Sequence, residues 1–286
     1  RREIRSDMTT CLVFGDEMPA DKTNYYAPET SIIHVKSATG KEVFSQVSGG
    51  PVRPQLAKTK RDIEAMGWVD KIRGKFEDAE AQDWKVISGT YETQMVDPMF
   101  MEPESGLAWF DRTEGTLHLL IGTQSPSYDA TAALQIFSDP MSALGIKRVN
   151  YIAAYPGGGF GGRDTSILCL HLAIAAAYSD KPVRIVNDRF QQFQAGVKRH
   201  ASRCEVKLAV GPDRKFTALR NYIHLNGGGR RNVSGYVAQV SGINGTGPYS
   251  VPLVDIWSRA TKTQAITAGS MRGFGAVQSQ FPGETI

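Results

Sequence analysis

Cysteine is scarce in this chain: its 286 residues contain three, Cys11, Cys169 and Cys204, far apart and never in a C-x-x-C pair. Neither an iron–sulfur cluster nor a structural zinc site can be built from them alone. The five histidines (His34, His118, His171, His200 and His224) are as scattered, with no pair on one helical face, so a histidine-bound metal is not expected. No apolar run approaches the roughly 20 residues that span a bilayer. The longest candidate, Ser166 to Tyr178, is interrupted by His171, which argues against a membrane span. Charge of one sign is also missing: 33 Lys and Arg against 29 Asp and Glu leave +4, spread along the chain, and nothing calls for nucleic acid. The chain opens on Arg1-Arg2-Glu3 without the charged, apolar and small-residue order of a secretory signal, so a cytoplasmic location is the expectation.

What remains, 41% hydrophobic and 22% charged, describes a globular chain long enough for one large domain or two ordinary ones. Residues 1–83 are uneven and turn-rich, as at Ser37-Ala38-Thr39-Gly40, and have no assignable fold. A short helix over Lys60 to Met66 fits there, within a charged connector. From Trp84 the texture changes to strands and turns. Lys85 to Thr93 is β-prone, and Leu107 to Phe110 with Thr116 to Ile121 frames a hairpin around Asp111-Arg112-Thr113-Glu114-Gly115. Residues 129–138 suit a helix. Val149 to Tyr155, Thr165 to Tyr178 and Val183 to Val186 read as strand, helix and strand, with a glycine cluster between the first two. Cys204 to Val210 and Phe216 to Leu225 form a second hairpin. The class is α+β, mixed sheets with packed helices, with the domain proper over 84–286.

The densest chemical signal is Tyr155-Pro156-Gly157-Gly158-Gly159-Phe160-Gly161-Gly162-Arg163-Asp164, where a strand ends and a helix begins. Without Cβ atoms such a loop adopts positive φ and lets a bulky ligand approach the backbone, while amides at the following helix attract anionic oxygens. The plain alternative is a tight connector that needs glycine only for its turns. A nucleotide-binding loop is the sharper rival, since Gly157 and Gly162 have its spacing. Arg163 stands where lysine belongs, however, and Asp164 replaces the magnesium-binding hydroxyl. A second loop, Met271-Arg272-Gly273-Phe274-Gly275-Ala276-Val277-Gln278, again holds an aromatic between glycines.

Taken in order, three segments resemble the xanthine dehydrogenase/aldehyde oxidoreductase family of molybdenum hydroxylases. They are Phe100-Met101-Glu102-Pro103-Glu104 with Leu107-Ala108; Gly122-Thr123-Gln124-Ser125-Pro126 with the Gly157 to Gly162 loop; and Arg272-Gly273-Phe274-Gly275 with Gln278. Lys181-Pro182-Val183-Arg184, Asp188-Arg189 and Arg199-His200 continue the texture, so the resemblance covers about residues 84–280. It implies the first half of a molybdopterin-binding domain that hydroxylates an N-heteroaromatic, purine- or nicotinate-like substrate with water-derived oxygen. An aldehyde oxidoreductase subunit, a non-catalytic scaffold of the same descent and a plain phosphate- or nucleotide-binding module stay open as alternatives. By resemblance, Gly159, Phe160, Gly161, Arg272 and Gly273 contact the cofactor, with Arg272 using its main chain, while Asp164 and Phe274 bind substrate.

Three positions depart from the purine-oxidising pattern. Val96 stands in place of a glutamine, with Gln94 out of register; Asp164 replaces a longer glutamate; and Val240 occupies the place of an orienting arginine. The family's general base, a glutamate in a Gly-x-Gly-Glu motif, does not occur in this chain, so no catalytic residue is assigned here. The resemblance therefore implies partners: a second molybdopterin-binding half or chain, an iron–sulfur subunit carrying 2Fe-2S centres and an FAD subunit. The cofactor it implies is molybdenum–molybdopterin in the cytosine dinucleotide form, with molybdenum held through the pterin dithiolene and no protein ligand to the metal.

Overall fold

A computed structural model describes backbone strands over 4–14, 31–36 and 42–48, residues 76–78 and 81, and residues 85–137, 141–230, 232–251 and 253–286. The expectations at Lys60 to Met66 and Ser37 to Gly40 lie outside the described residues. In chain order the strands are β1 (Ile4–Phe14), β2 (Ser31–Lys36), β3 (Glu42–Ser48), β4 (Lys85–Thr93), β5 (Ser105–Asp111), β6 (Thr116–Gly122), β7 (Arg148–Ala154), β8 (Val183–Val186), β9 (Ala201–Val210), β10 (Phe216–Gly228) and β11 (Leu253–Lys262). The helices are α1 (Pro126–Ile136), α2 (Met141–Leu144), α3 (Ile167–Ala177), α4 (Arg189–Ala195), α5 (Ser234–Ile243) and α6 (Ala276–Thr285). Contacts divide the chain into two compact units, one of residues 1–95, 200–265 and 273–286 and the other of 96–199 and 266–272.

The first unit is a seven-stranded mixed sheet in the order β3-β2-β1-β11-β10-β9-β4. Its hairpin β9–β10 is antiparallel, while β10 and β11 run parallel. Alternation decides the buried face, because successive side chains of a strand point to opposite sides. Cys204, Val206 and Leu208 of β9 join Leu219, Ile223 and Leu225 of β10 and Val254, Ile256 and Ala260 of β11 in one core. Val237 and Ala238 of α5 close it. Asn221 falls on the same buried face and is tolerated because its amide donates to the carbonyls of Gly245 (3.1 Å) and Ser279 (3.2 Å).

The second unit is a four-stranded sheet in the order β7-β6-β5-β8. The expected hairpin is β5–β6, antiparallel, and β7 joins β6 in parallel. The expected strand–helix–strand is β7–α3–β8, its two strands lying at opposite edges of the sheet. Helix α3 buries Leu168, Cys169, Leu172, Ala173, Ala176 and Ala177, a single stripe at helical spacing, against Leu117, Leu119 and Ile121 of β6. The helix expected over 129–138 begins earlier, at Pro126, where proline's fixed φ suits the first turn. Helix α4 starts at a capping box: Asp188 accepts from the Gln191 amide, and the Gln191 side chain accepts from the Asp188 amide, each at 2.8 Å.

Candidate functional site

The glycine loop lies in the second unit, between the end of β7 and the start of α3. Most of its amides are satisfied within the chain. The Gly157 amide donates to Glu102 Oε2 (2.7 Å), that of Gly161 to Gln124 Oε1 (2.9 Å), that of Gly162 to the Gly159 carbonyl (2.8 Å) and that of Asp164 to the Gly161 carbonyl (3.0 Å). Three successive amides, those of Gly158, Gly159 and Phe160, donate to no acceptor among the described residues. Gly159 is buried, Gly158 half-buried and Phe160 exposed, and a buried amide without a partner is rare in folded chains. A row of free amides in such a turn is able to accept an oxygen-bearing group from outside the chain, since successive amides of this kind can make an anion-binding concavity. Phe160 itself has φ +51, a left-handed conformation that bulky residues seldom adopt outside functional turns.

The segment before the second loop holds this one in place. The Arg272 amide donates to the Phe160 carbonyl (2.8 Å), and the Arg272 carbonyl accepts from Arg199 Nη2 (2.6 Å). At Gly161, with φ +93, a Cβ would stand 2.9 Å from the Met271 nitrogen and from the Ser270 carbonyl carbon, so only glycine fits. Gly159 meets the Gln124 side chain in the same way. Gly159, Phe160, Gly161 and Arg272 are thus brought together. The Arg272 amide is engaged with the loop, and its exposed guanidinium has no partner among the described residues. Asp164 is half-buried one turn along the same loop.

Gly273 and Phe274 belong to the first unit. Gly273 has φ +89 and Phe274 φ +42, so both aromatics of the two glycine-flanked loops are left-handed. The Phe274 ring packs against the core of the first unit and is half-buried. Gln278, one turn into α6, is buried and its amide donates to the His200 carbonyl (3.2 Å).

Several residues that organise the loop escaped sequence reasoning. Arg163, weighed there only against a phosphate-binding lysine, is 1% exposed and points inward. Its Nη2 donates to the Glu102 carbonyl, its Nη1 lies 3.9 Å from the Glu102 carboxylate, and its guanidinium stacks 4.4 Å from the Phe100 ring centroid. Burial pulls its pKa down, while Glu102 and Glu104 oppose that shift. Glu102 and Gln124 were visible as part of quoted segments; what could not be seen is that both carboxylate and amide serve the loop. Asp129, on α1, is buried beside Thr123 and Tyr151, whose hydroxyls lie 2.5 and 3.3 Å from its Oδ2. Burial is the main cause raising its carboxyl from 3.8 to about 6, against the hydrogen bonds from Thr123 and Tyr151. Thr123 Oγ1 is also 3.1 Å from the Arg163 carbonyl, which connects this acid to the loop.

Among the described residues, no three His, Cys, Asp or Glu side chains gather to hold a metal, and no helix is long and apolar enough to cross a membrane.

The fold and the loop define a cofactor-binding domain, and comparison with known proteins says of which kind. Residues 58–286 match the family model of the molybdopterin cofactor-binding domain. The chain belongs to that family, within the molybdenum hydroxylases of the xanthine dehydrogenase/aldehyde oxidoreductase type. It is 31% identical over 195 residues to the nicotinate dehydrogenase large molybdopterin subunit of Eubacterium barkeri, covering 68% of this chain and 44% of that one. It is 26% identical over 239 residues to the xanthine dehydrogenase of Emericella nidulans, covering 82% of this chain and 17% of the relative. The chain thus spans less than half the length of either. Among solved structures, quinoline 2-oxidoreductase of Pseudomonas putida superimposes with a TM-score of 0.57 at 26% identity, over 67% of this chain and 24% of that one. The aldehyde oxidoreductase of Desulfovibrio desulfuricans shares the fold, with a TM-score of 0.61 at 20% identity over 70% of this chain and 22% of its own.

Proposed function

We propose that residues 84–286 form the first molybdopterin-binding domain of a molybdenum hydroxylase acting on an N-heteroaromatic, purine- or nicotinate-like substrate. The observation that carries this reading is the row of unpartnered amides at Gly158, Gly159 and Phe160, with the exposed Arg272 guanidinium on the segment bonded to that row. These groups suit the oxygens of a molybdenum–pterin group: donors preorganised by Gln124, Arg163 and Arg272 need no rearrangement when an anionic oxygen arrives. When bound, that cofactor supplies the two-electron oxidation accompanying insertion of a water-derived oxygen. The chain's own residues present the amides, and Gly159 and Gly161 let the loop pack against Gln124 and against the Ser270–Met271 backbone, which holds those amides in place. Arg272 adds positive charge, and Asp164 and Phe274 contact the substrate.

Two relatives bear the names of nitrogen heteroaromatics, nicotinate and quinoline, which favours that substrate class. Val96 and Val240 cannot donate hydrogen bonds through their side chains, which favours a less polar ring than xanthine, and an aldehyde is the second reading on the same ground. The rest of the assembly is proposed from the family: a second molybdopterin-binding segment carrying the general-base glutamate, 2Fe-2S and FAD on partner subunits, the cytosine dinucleotide form of the pterin, and a cytoplasmic location. Molybdenum and pterin analysis of the native complex tests the cofactor, and turnover of nicotinate, purines and aromatic aldehydes tests the substrate. Stoichiometric molybdenum with nicotinate-type turnover is expected; a complex free of both metal and pterin would overturn the proposal, and turnover of aldehydes alone would transfer it to the second reading.

A further inference from the structure

We infer that Arg199 is a positioning residue that ties three separate backbone segments of the cofactor loop region into one arrangement. The inference rests on the proposed cofactor reading for its purpose and on the structure for its geometry. The Arg199 amide donates to the Val96 carbonyl (2.8 Å), and its Nη2 donates to the Arg272 carbonyl (2.6 Å). Arg272 in turn donates its amide to the Phe160 carbonyl (2.8 Å). One residue therefore fixes, directly or through one further bond, Val96 and the two positions Arg272 and Phe160 that the family resemblance places at the cofactor. Its chain neighbour reinforces the tie. Lys198 donates its amide to the Thr267 carbonyl (3.1 Å) and its carbonyl accepts from the Gly269 amide (2.9 Å), which makes one parallel bridge between Lys198 and Ala268.

The arrangement is costly enough to need an explanation. Arg199 faces no carboxylate within ion-pair distance among the described residues, its Nη1 is buried without a partner, and burial pulls its pKa down. A guanidinium desolvated in that way is unfavourable on its own. What it achieves is orientation: the planar fork meets a carbonyl at a set angle, which an ammonium on a flexible stem does not reproduce. The Arg272 carbonyl, once held, fixes the peptide plane between Arg272 and Gly273 and so restrains the backbone of Arg272, whose own amide holds the carbonyl of Phe160, the residue in the left-handed turn.

The test uses the native complex carrying Arg199→Met or Arg199→Lys. Three quantities are read: amide exchange of segment 267–272, pterin retained per complex, and the electron paramagnetic resonance signature of the reduced metal centre. Arg199→Met is expected to speed exchange at the Arg272 amide about tenfold or more, as loss of a charge-assisted hydrogen bond implies. It should lower retained pterin and shift the resonance of the fraction still loaded, and Arg199→Lys should restore exchange protection in part. If Arg199→Met does not fold, the same readings on Arg199→Lys decide, with intermediate changes expected. Wild-type exchange, pterin and resonance in the folded variants overturn the inference alone, since the wild-type complex still holds its cofactor. A wild-type complex without pterin overturns it together with the reading on which it rests.

Discussion

Arg163 shows how far a residue's role can lie from its apparent motif. In sequence it follows a glycine run at the place of a phosphate-binding lysine; in the fold it is buried, donates to the Glu102 carbonyl and stacks on Phe100. Replacing it by methionine leaves the Glu102 carbonyl without its donor and removes the stack. Denaturant unfolding of Arg163→Met is expected to show a loss on the order of 3 kcal/mol, the scale of breaking a buried charged contact. Gly161→Ala places a Cβ against the backbone of Ser270 and Met271 at φ +93, and pterin retention should fall while the remaining fold survives. Full pterin content in that variant would contradict the close-approach argument. Asp129 supplies a pH test. Its carboxyl holds a proton more tightly folded (about 6) than unfolded (3.8), so across that window the folded chain binds more protons. Stability is then greatest at the acid end of the window and falls as pH rises through the folded value, by at most about 3 kcal/mol. Asp129→Asn keeps the shape without the charge. Unfolding measured at several pH values should lose that slope, and an unchanged slope would assign it to other groups. Protonated Asp129 can donate to Thr123 Oγ1, leaving the single Thr123 hydrogen for the Arg163 carbonyl.

Secondary structure was legible wherever local pattern and buried face agree. Strands β4 and β8 and the two hairpins fall where β-prone runs and glycine-bearing turns predict them. Helices α5 and α6 were not legible. The first carries Gly235, Gly242 and two valines, and the second contains Pro282, so neither has strong helical propensity. They form because one side of each is buried: Val237, Ala238 and Ser241 in α5, Gln278, Ser279 and Pro282 in α6. Helix α4 was missed for its brevity, although Asp188 and Gln191 carry a capping signal; Asp188→Ala should lower stability by about 1 kcal/mol. A larger effect is expected where α4 meets the 198–199 segment. Lys198 Nζ pairs with Asp97 (2.7 Å), donates to the carbonyls of Gln192 and Gly196, and is buried along with its partner. Lys198→Met strands the Asp97 charge and should cost about 3–5 kcal/mol, measured by unfolding, whereas an effect below about 1 kcal/mol would show the pair to be solvated.

At the scale of the whole molecule, the chain covers 44% of the nicotinate dehydrogenase subunit it resembles, and the proposed active assembly needs a second segment that carries the base. Mass analysis of the native complex is expected to find that segment, in the same polypeptide or in a companion. The amino-acid sequence by itself determined the family, the α+β class and the positions of the two glycine-flanked loops. Those depend on residues close together in the chain, such as the glycine run around Phe160, or on the order of several such runs. Only the tertiary structure decided which amides remain available, which arginine is an internal brace and how the second loop's leading segment grips the first. The partners concerned are remote in sequence: Arg199 and Arg272 are separated by 73 positions, and Arg163 and Glu102 by 61. Hydrogen bonds over such separations leave no periodicity to read, because they are set by where packing of the α3 stripe and the sheets brings the backbone, not by the spacing of the residues that make them.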